Sequence, residues 1–352
     1  MWSYLLLPLS SIATASLLYV THYSGTVFTL SLDVSSTGYD LSIVHSQPLC
    51  GTYPSWLTFD VASNLIFCSD ETGDATNNGS LSALAIADDG SLLEQAKTAT
   101  PGSGVHNVVY EGDQGERYLA VAHYGGSAVS TFRLPLQSDD PPLQVFRYQL
   151  SQPGPKSQQD APHPHQVRVY AIDKPTGHLH ACPAIHVTAG DGPRHGVFER
   201  SQTGLTTLYI DTELGGHIIS YAVSYLAAGG CPSFRQRQKL VAYPDGTMPE
   251  GATPAEIRLA GDELYVSVRS DQGFAPNDSM VTLDRTVNGT LAVRESTSSY
   301  GTVPRTFASS TVAVVKRDVA TGALGEEVAH LQVGEPGPVG TMTGLSSVIW
   351  VE

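Results

Sequence analysis

No segment of this chain has the period of a long amphipathic helix, and beyond the N-terminus no apolar run is long enough to span a bilayer. No membrane partner is therefore expected. Charge is sparse and one-sided: 15% of the 352 residues are charged, with 19 Lys+Arg against 34 Asp+Glu, a net −15. Such a surface repels phosphate backbones, which argues against nucleic acid as a partner. A small anionic substrate stays admissible only where a few arginines reverse the field locally. Cysteine is scarce too. Cys50, Cys68, Cys182 and Cys231 form no Cys-x-x-Cys pair, so no zinc site is indicated. Gly-x-Ser-x-Gly, His-Glu-x-x-His and Walker-type phosphate loops are missing, and the turn SDETGDATNNGS lacks EF-hand spacing. No metal or cofactor is expected.

What the chain has in quantity is glycine (34) and proline (22), in a composition that is 41% hydrophobic. That suits a turn-rich β protein with a large core. A short phrase also keeps returning: a Pro- or His-led start, an alternating apolar strand, a Gly turn and a second strand. It runs PSWLTFDVASNLIFCSDE from Pro54, VHNVVYEGDQGERYLAVAHYGG from Val105 and PHQV from Pro164. It returns as PRHGVFERSQTGLTTLYIDTELGGH from Pro193, PAEIRLAGDELYVSVRSDQG from Pro254 and PRTFA from Pro304. A period of about 50 to 60 residues with short strands predicts a β-propeller, one phrase per blade. Length alone would allow two domains, but propeller blades form one closed ring.

The two ends fit that expectation. LLYVTHYSGTVFTLSL from Leu17 reads as the second and third strands of a blade without its first, and GLSSVIWVE from Gly344 is an apolar strand with no partner downstream. Pairing them would remove two open sheet edges and give seven blades, closed between N- and C-terminal strands. Two blades are short, around 164–190 and 304–335. PHQV runs straight into RVYAIDKPTGHL, and PRTFA into SSTVAVVKRDVATG. The missing portion is about 15 to 20 residues long in the intact phrases and contains the second strand. About three strands would remain in each. Either these blades have closed up around the loss, or coding segments are missing at Val167–Arg168 and Ala308–Ser309.

MWSYLLLPLSSIATAS opens with an apolar run and carries Ala13-Thr14-Ala15, a small-x-small pattern. Residues 1–16 are expected to be a signal peptide and 17–352 a single domain, secreted; an uncleaved N-terminus would leave the protein in the cytoplasm. The sequons at Asn78, Asn277 and Asn288 agree with secretion. One or two disulfides are then allowed, Cys50–Cys68 being the most local, with buried free thiols as the alternative.

Taken in order, PHPHQV, GDGPRHGVF, LYIDTELGGHIISY, LYVSVRSDQG and VPRTFA resemble the seven-bladed propeller lactonase family, which includes propeller-type 6-phosphogluconolactonases and fungal carboxy-cis,cis-muconate cyclases. The resemblance covers nearly the whole chain after residue 16. It implies a central-channel site built from His165 in PHPHQV, Arg194 in GPRH, Glu213 in DTELGG and Arg269 in SVRSD. His163 is an alternative to His165; Arg305 and His195 are further candidates.

These residue types suit lactone hydrolysis on their own terms. For a sugar-acid lactone of the 6-phosphogluconolactonase type, Arg194 and Arg269 would hold the acid or phosphate and stabilise an oxyanion. Glutamate or histidine moves the proton between water and the leaving alkoxide. Two flanking cations would lower a carboxyl pKa, making Glu213 a base and His165 the donor. The same set could instead cycloisomerise a carboxylated muconate. Arginines at blade ends can equally bridge backbone carbonyls, and a secreted propeller can bind a glycan or protein without catalysis. His22, His106 and His123 are expected to be structural.

Overall fold

The computed structural model describes residues 14–148, 166–202, 204–226, 229–305, 310–335 and 343–351. Every regular element among them is a β-strand. Five sheets have four strands and run antiparallel throughout. The first joins β1 (Thr14–His22), β2 (Thr26–Ser35) and β3 (Gly38–Gln47) to the last strand, β26 (Leu345–Val351), in the order β26-β1-β2-β3. The second is β4 (Pro54–Asp60), β5 (Leu65–Asp70), β6 (Asn78–Ile86) and β7 (Leu92–Pro101). The third is β8 (Gly104–Glu111), β9 (Arg117–His123), β10 (Ala128–Arg133) and β11 (Gln144–Arg147).

Two two-stranded sheets follow. β12 (Gln166–Val167) pairs with β15 (Ile185–His186), enclosing the hairpin β13 (Tyr170–Asp173) and β14 (His178–Ala181). The fourth full sheet is β16 (Pro193–Arg200), β17 (Thr206–Thr212), β18 (His217–Ser224) and β19 (Ser233–Val241). The fifth is β20 (Thr253–Ala260), β21 (Glu263–Arg269), β22 (Ser279–Arg285) and β23 (Leu291–Ser298). A last two-stranded sheet joins β24 (Thr311–Arg317) to β25 (Leu324–Gln332).

The short sectors differ from the expected three strands. Among the described residues one has two separate pairs and the other has a single pair. The reason lies in ladder satisfaction. Without a second strand, β12 takes its partner from the segment that follows the outer hairpin, so its N–H and C=O groups are still paired.

Neighbouring sheets share cores. Tyr19, Leu57, Ile66 and Leu84 join the first sheet to the second, and Phe67, Leu119 and Phe132 join the second to the third. Tyr209, Ile218, Leu264 and Val281 join the fourth to the fifth. Val312 and Val333 pack on Leu18 and Leu30. β17 is buried almost throughout because Tyr209 faces one such core while Leu208 and Ile210 face another, and β21 is buried along nearly its whole length. Thr207 and Ser267 are buried beside these apolar runs.

Both disulfides form: Cys50–Cys68, within the second sheet's core, and Cys182–Cys231, which ties the end of β14 to the segment entering β19. The second bridge fastens a thin sector to a full sheet across 49 residues of chain. Loop-closure entropy makes such a bridge worth about 4 kcal/mol. Replacing Cys182 and Cys231 by serine should lower the urea-unfolding free energy by roughly that amount. An unchanged midpoint would contradict the bridge.

Candidate active site

Four leading strands open with the same irregularity. Against their neighbours, β4, β8, β16 and β20 shift register at Pro54/Trp56, Gly104/His106, Pro193/Gly196 and Pro254/Ile257. A bulge re-aims the side chains it carries, and a proline at the first position costs no ladder bond. The backbone N–H groups released by the bulge find partners on the second strand. His195 N–H donates to Asp211 Oδ1 (2.5 Å) and Glu256 N–H to Ser267 Oγ (3.1 Å). Asp211 and Ser267 stand two residues before Glu213 and Arg269, so one register serves both sheets.

The ends of the second strands assemble the site. Tyr23 follows β1, Glu71 follows β5, Tyr124 follows β9, Glu213 follows β17, and Arg269 ends β21. The turn that carries Glu213 is fixed by backbone bonds, Glu213 N–H to Gly192 C=O (2.9 Å) and Leu214 N–H to Asp191 C=O (3.0 Å). Arg269 binds the Glu213 carboxylate directly, and Arg194 Nε lies 3.6 Å from its other oxygen. Nearby, Arg305 Nη2 reaches Glu71 Oε2 at 3.2 Å, and the Tyr23 hydroxyl donates to the same oxygen at 2.5 Å. The two pairs share one field: the Tyr124 phenol feels Glu213, Arg194, Glu71 and Arg305.

Burial would raise the pKa of Glu213, but Arg194 and Arg269 outweigh it and hold the carboxyl below its usual range. Its side chain remains 31% exposed, so water can reach an ionised base. Burial lowers the pKa of Arg269, and Glu213 opposes this. Burial likewise acts to lower that of Arg305, but Tyr23, Glu71 and Glu213 raise it overall.

Behind this layer lies a second cluster. The rings of Trp56 and His106 are 4.1 Å apart, Trp56 and His195 5.3 Å, and His106 and His195 5.7 Å. They come from three different leading strands. Arg258 lies 5.5 Å from the Trp56 ring and 3.2 Å from Glu256, whose other oxygen is 3.7 Å from His195 Nε2. Burial, then neighbouring cations, lowers His106 to about 4 and His195 well below its ordinary value. Both are neutral at pH 7, so His195 is not a standing proton donor. Burial pushes Asp211 up to about 8, against the pull of Arg194. Its Oδ2 is sealed from water without a hydrogen-bond partner. An unpartnered buried oxygen is costly as a charge, which favours the protonated form.

Arg194, Glu213 and Arg269 thus come together, with Arg305 beside them. His163 and His165 lie outside the described residues. His22 accepts from Ser24 N–H at Nδ1 (3.0 Å), which leaves Nε2 to donate to the Glu335 carbonyl (3.1 Å). His123 Nε2 bonds Ser130 Oγ at 2.8 Å. Both hold the fold. His106, expected to be structural, is part of the inner cluster. Glu71, Tyr23, Tyr124 and Trp56 were not singled out from sequence. For the first three the signal is position: THYSG, SDETG, AHYGG and DTELGG occupy the same place in the repeat.

Comparison with known proteins identifies a family model, "Lactonase, 7-bladed beta-propeller", that matches residues 17–169 and 166–341. A protein of Arthroderma benhamiae named "Probable 6-phosphogluconolactonase" is 23% identical over 313 residues, 81% of this chain and 75% of that one. The Pseudomonas aeruginosa periplasmic gluconolactonase has a similar solved structure, with TM-score 0.73 and 20% identity over 96% of this chain and 99% of that one. A Lactobacillus plantarum protein gives TM-score 0.74 at 19% identity, covering 96% and 100%. At these identities the structural likeness speaks to fold.

The Asp211 carboxyl keeps its proton up to about pH 8 when folded and loses it near pH ~4 when unfolded. Between these limits the folded state binds more protons, so the group's contribution to stability falls as pH rises. In Asp211→Asn this decline should vanish from thermal midpoints recorded across that window. Parallel curves for variant and parent would contradict it.

Proposed function

The chain belongs to the seven-bladed β-propeller lactonase family, and from that premise we propose that it hydrolyses a sugar-acid lactone at Arg194, Glu213 and Arg269. The observation that carries the reading is the Glu213 carboxylate, ionised between two guanidinium groups yet open to water.

In this reading Glu213 takes a proton from water as the oxygen adds to the lactone carbonyl. Arg194, bound to Glu213 only at 3.6 Å, has donors to spare for the tetrahedral oxyanion. Arg269 keeps the base ionised and oriented. The carbon–oxygen ring bond then breaks, and the leaving alkoxide takes a proton, for which His165 is the proposed donor because Glu213 serves as the base. The product is the open-chain acid, its carboxylate facing Arg194. The substrate is thus a small lactone, and the steps call on no metal or cofactor. No observation favours muconate cyclisation or non-catalytic binding.

The same reading makes the five full sheets and the two thin sectors seven blades of one ring, with the site at the mouth of its axis. The convergence of Trp56, His106 and His195 from three leading strands supports an axis there, and the β26–β1 ladder supports closure. Truncation at the first thin sector is supported by the two family matches, which meet at 166–169, the shortened junction. Residues 17–352 would form one domain after loss of a leader. The β1–β26 ladder begins at Leu17, so cleavage after Ser16 would leave it whole.

Glu213→Gln should lower kcat on δ-gluconolactone by about 10²- to 10⁴-fold, and Arg194→Ala should lower kcat/KM by about 10- to 100-fold. Rates unchanged after subtraction of spontaneous hydrolysis would contradict these roles. Secretion predicts glycans at Asn78 and Asn288, both exposed. An intact mass that does not change on endoglycosidase treatment of the secreted protein would count against it.

A further inference from the structure

Glu71 has no part in the hydrolysis described above, yet it is built into the site. Its side chain is only 12% exposed, and one oxygen takes both Arg305 and the Tyr23 hydroxyl. We propose that Glu71 is a specificity-determining residue that commits Arg305 and makes the site select an unphosphorylated sugar-acid lactone over its phosphate ester. This rests on the lactonase reading.

The cluster holds three guanidinium groups, Arg194, Arg269 and Arg305, and two carboxylates, Glu213 and Glu71. One positive charge is left over. A neutral lactone develops one negative charge on the way to its acid, and the surplus matches it. A phosphate monoester adds nearly two more near neutral pH and needs further Arg or Lys donors. Among the described residues no lysine forms an ion pair with Glu71 or Glu213: Lys239 is held by Asp191 (2.7 Å) and Lys316 by Glu326 (2.5 Å). The net −15 charge of the whole chain also opposes an incoming phosphate.

Calorimetric titration of the full chain with gluconate and with 6-phosphogluconate reads this without catalysis. The phosphorylated acid should bind at least about tenfold more weakly, a gap of ~1.4 kcal/mol. Glu71→Gln keeps an acceptor for Tyr23 but removes the charge that neutralises Arg305, and should close the gap by about tenfold. In the unmodified protein the gap should also shrink at high salt, because screening weakens repulsion, a readout that needs no variant. The proposal is overturned if 6-phosphogluconate binds as tightly as gluconate, if the gap ignores both salt and Glu71→Gln, or if neither acid binds. Discrimination without turnover of either lactone would sustain the role of Glu71 and overturn the lactonase reading instead.

Discussion

An ionised carboxylate pressed between two guanidinium groups is the contact on which the site depends. Taking Glu213 part-way out of water is unfavourable, and Arg194 and Arg269, helped by Arg305, make the charged form the stable one. The same pairing has a chemical cost, because a carboxylate so stabilised is a weaker base. Geometry has to compensate by holding water, base and oxyanion donor in line. The asymmetry of the pair serves this. Arg269 grips the carboxylate, while Arg194 stands off at 3.6 Å. Arg194 is placed by the bulge at Pro193/Gly196, and that bulge is held by Asp211. A buried acid that keeps its proton thus underlies a half-buried acid that has lost its own.

The thin sectors stand beside this arrangement. One immediately precedes the strand that carries Arg194, and Arg305 comes just before the other. Among the described residues neither forms a four-stranded sheet. The first is held by the β12–β15 pair and by the Cys182–Cys231 bridge. Val312 and Val314 of β24, with Ala329 and Leu331 of β25, lean on the core of the first sheet. The site therefore draws its residues from the five full sheets and from Arg305.

Much of this was legible in the chain itself. The repeat announced a propeller because every blade must bury the same faces, and the family resemblance led to Arg194, Glu213 and Arg269, which lie together. Glu71, Tyr23 and Tyr124 escaped notice because the signal there is register and not residue type. The position after the second strand holds Tyr, Glu, Tyr and Glu in turn, so no single chemistry repeats. Trp56 was hidden inside a phrase counted only as repeat, and nothing in one sequence says that rings from three leading strands will stack. The Cys182–Cys231 bridge was left open because it joins a thin sector to a full sheet, a contact set by tertiary packing. His165 lies outside the described residues, and its role stays a proposal.

Glu213, as an ionised base, has its proton affinity set by its arginines, and the acid limb of kcat/KM for lactone hydrolysis measures this directly. The limb should fall below the ordinary carboxylate range in the unmodified protein and move upward in Arg269→Gln, whose base has lost one cation. A limb near neutrality, or one that Arg269→Gln leaves in place, would contradict the account and point to a histidine as the base.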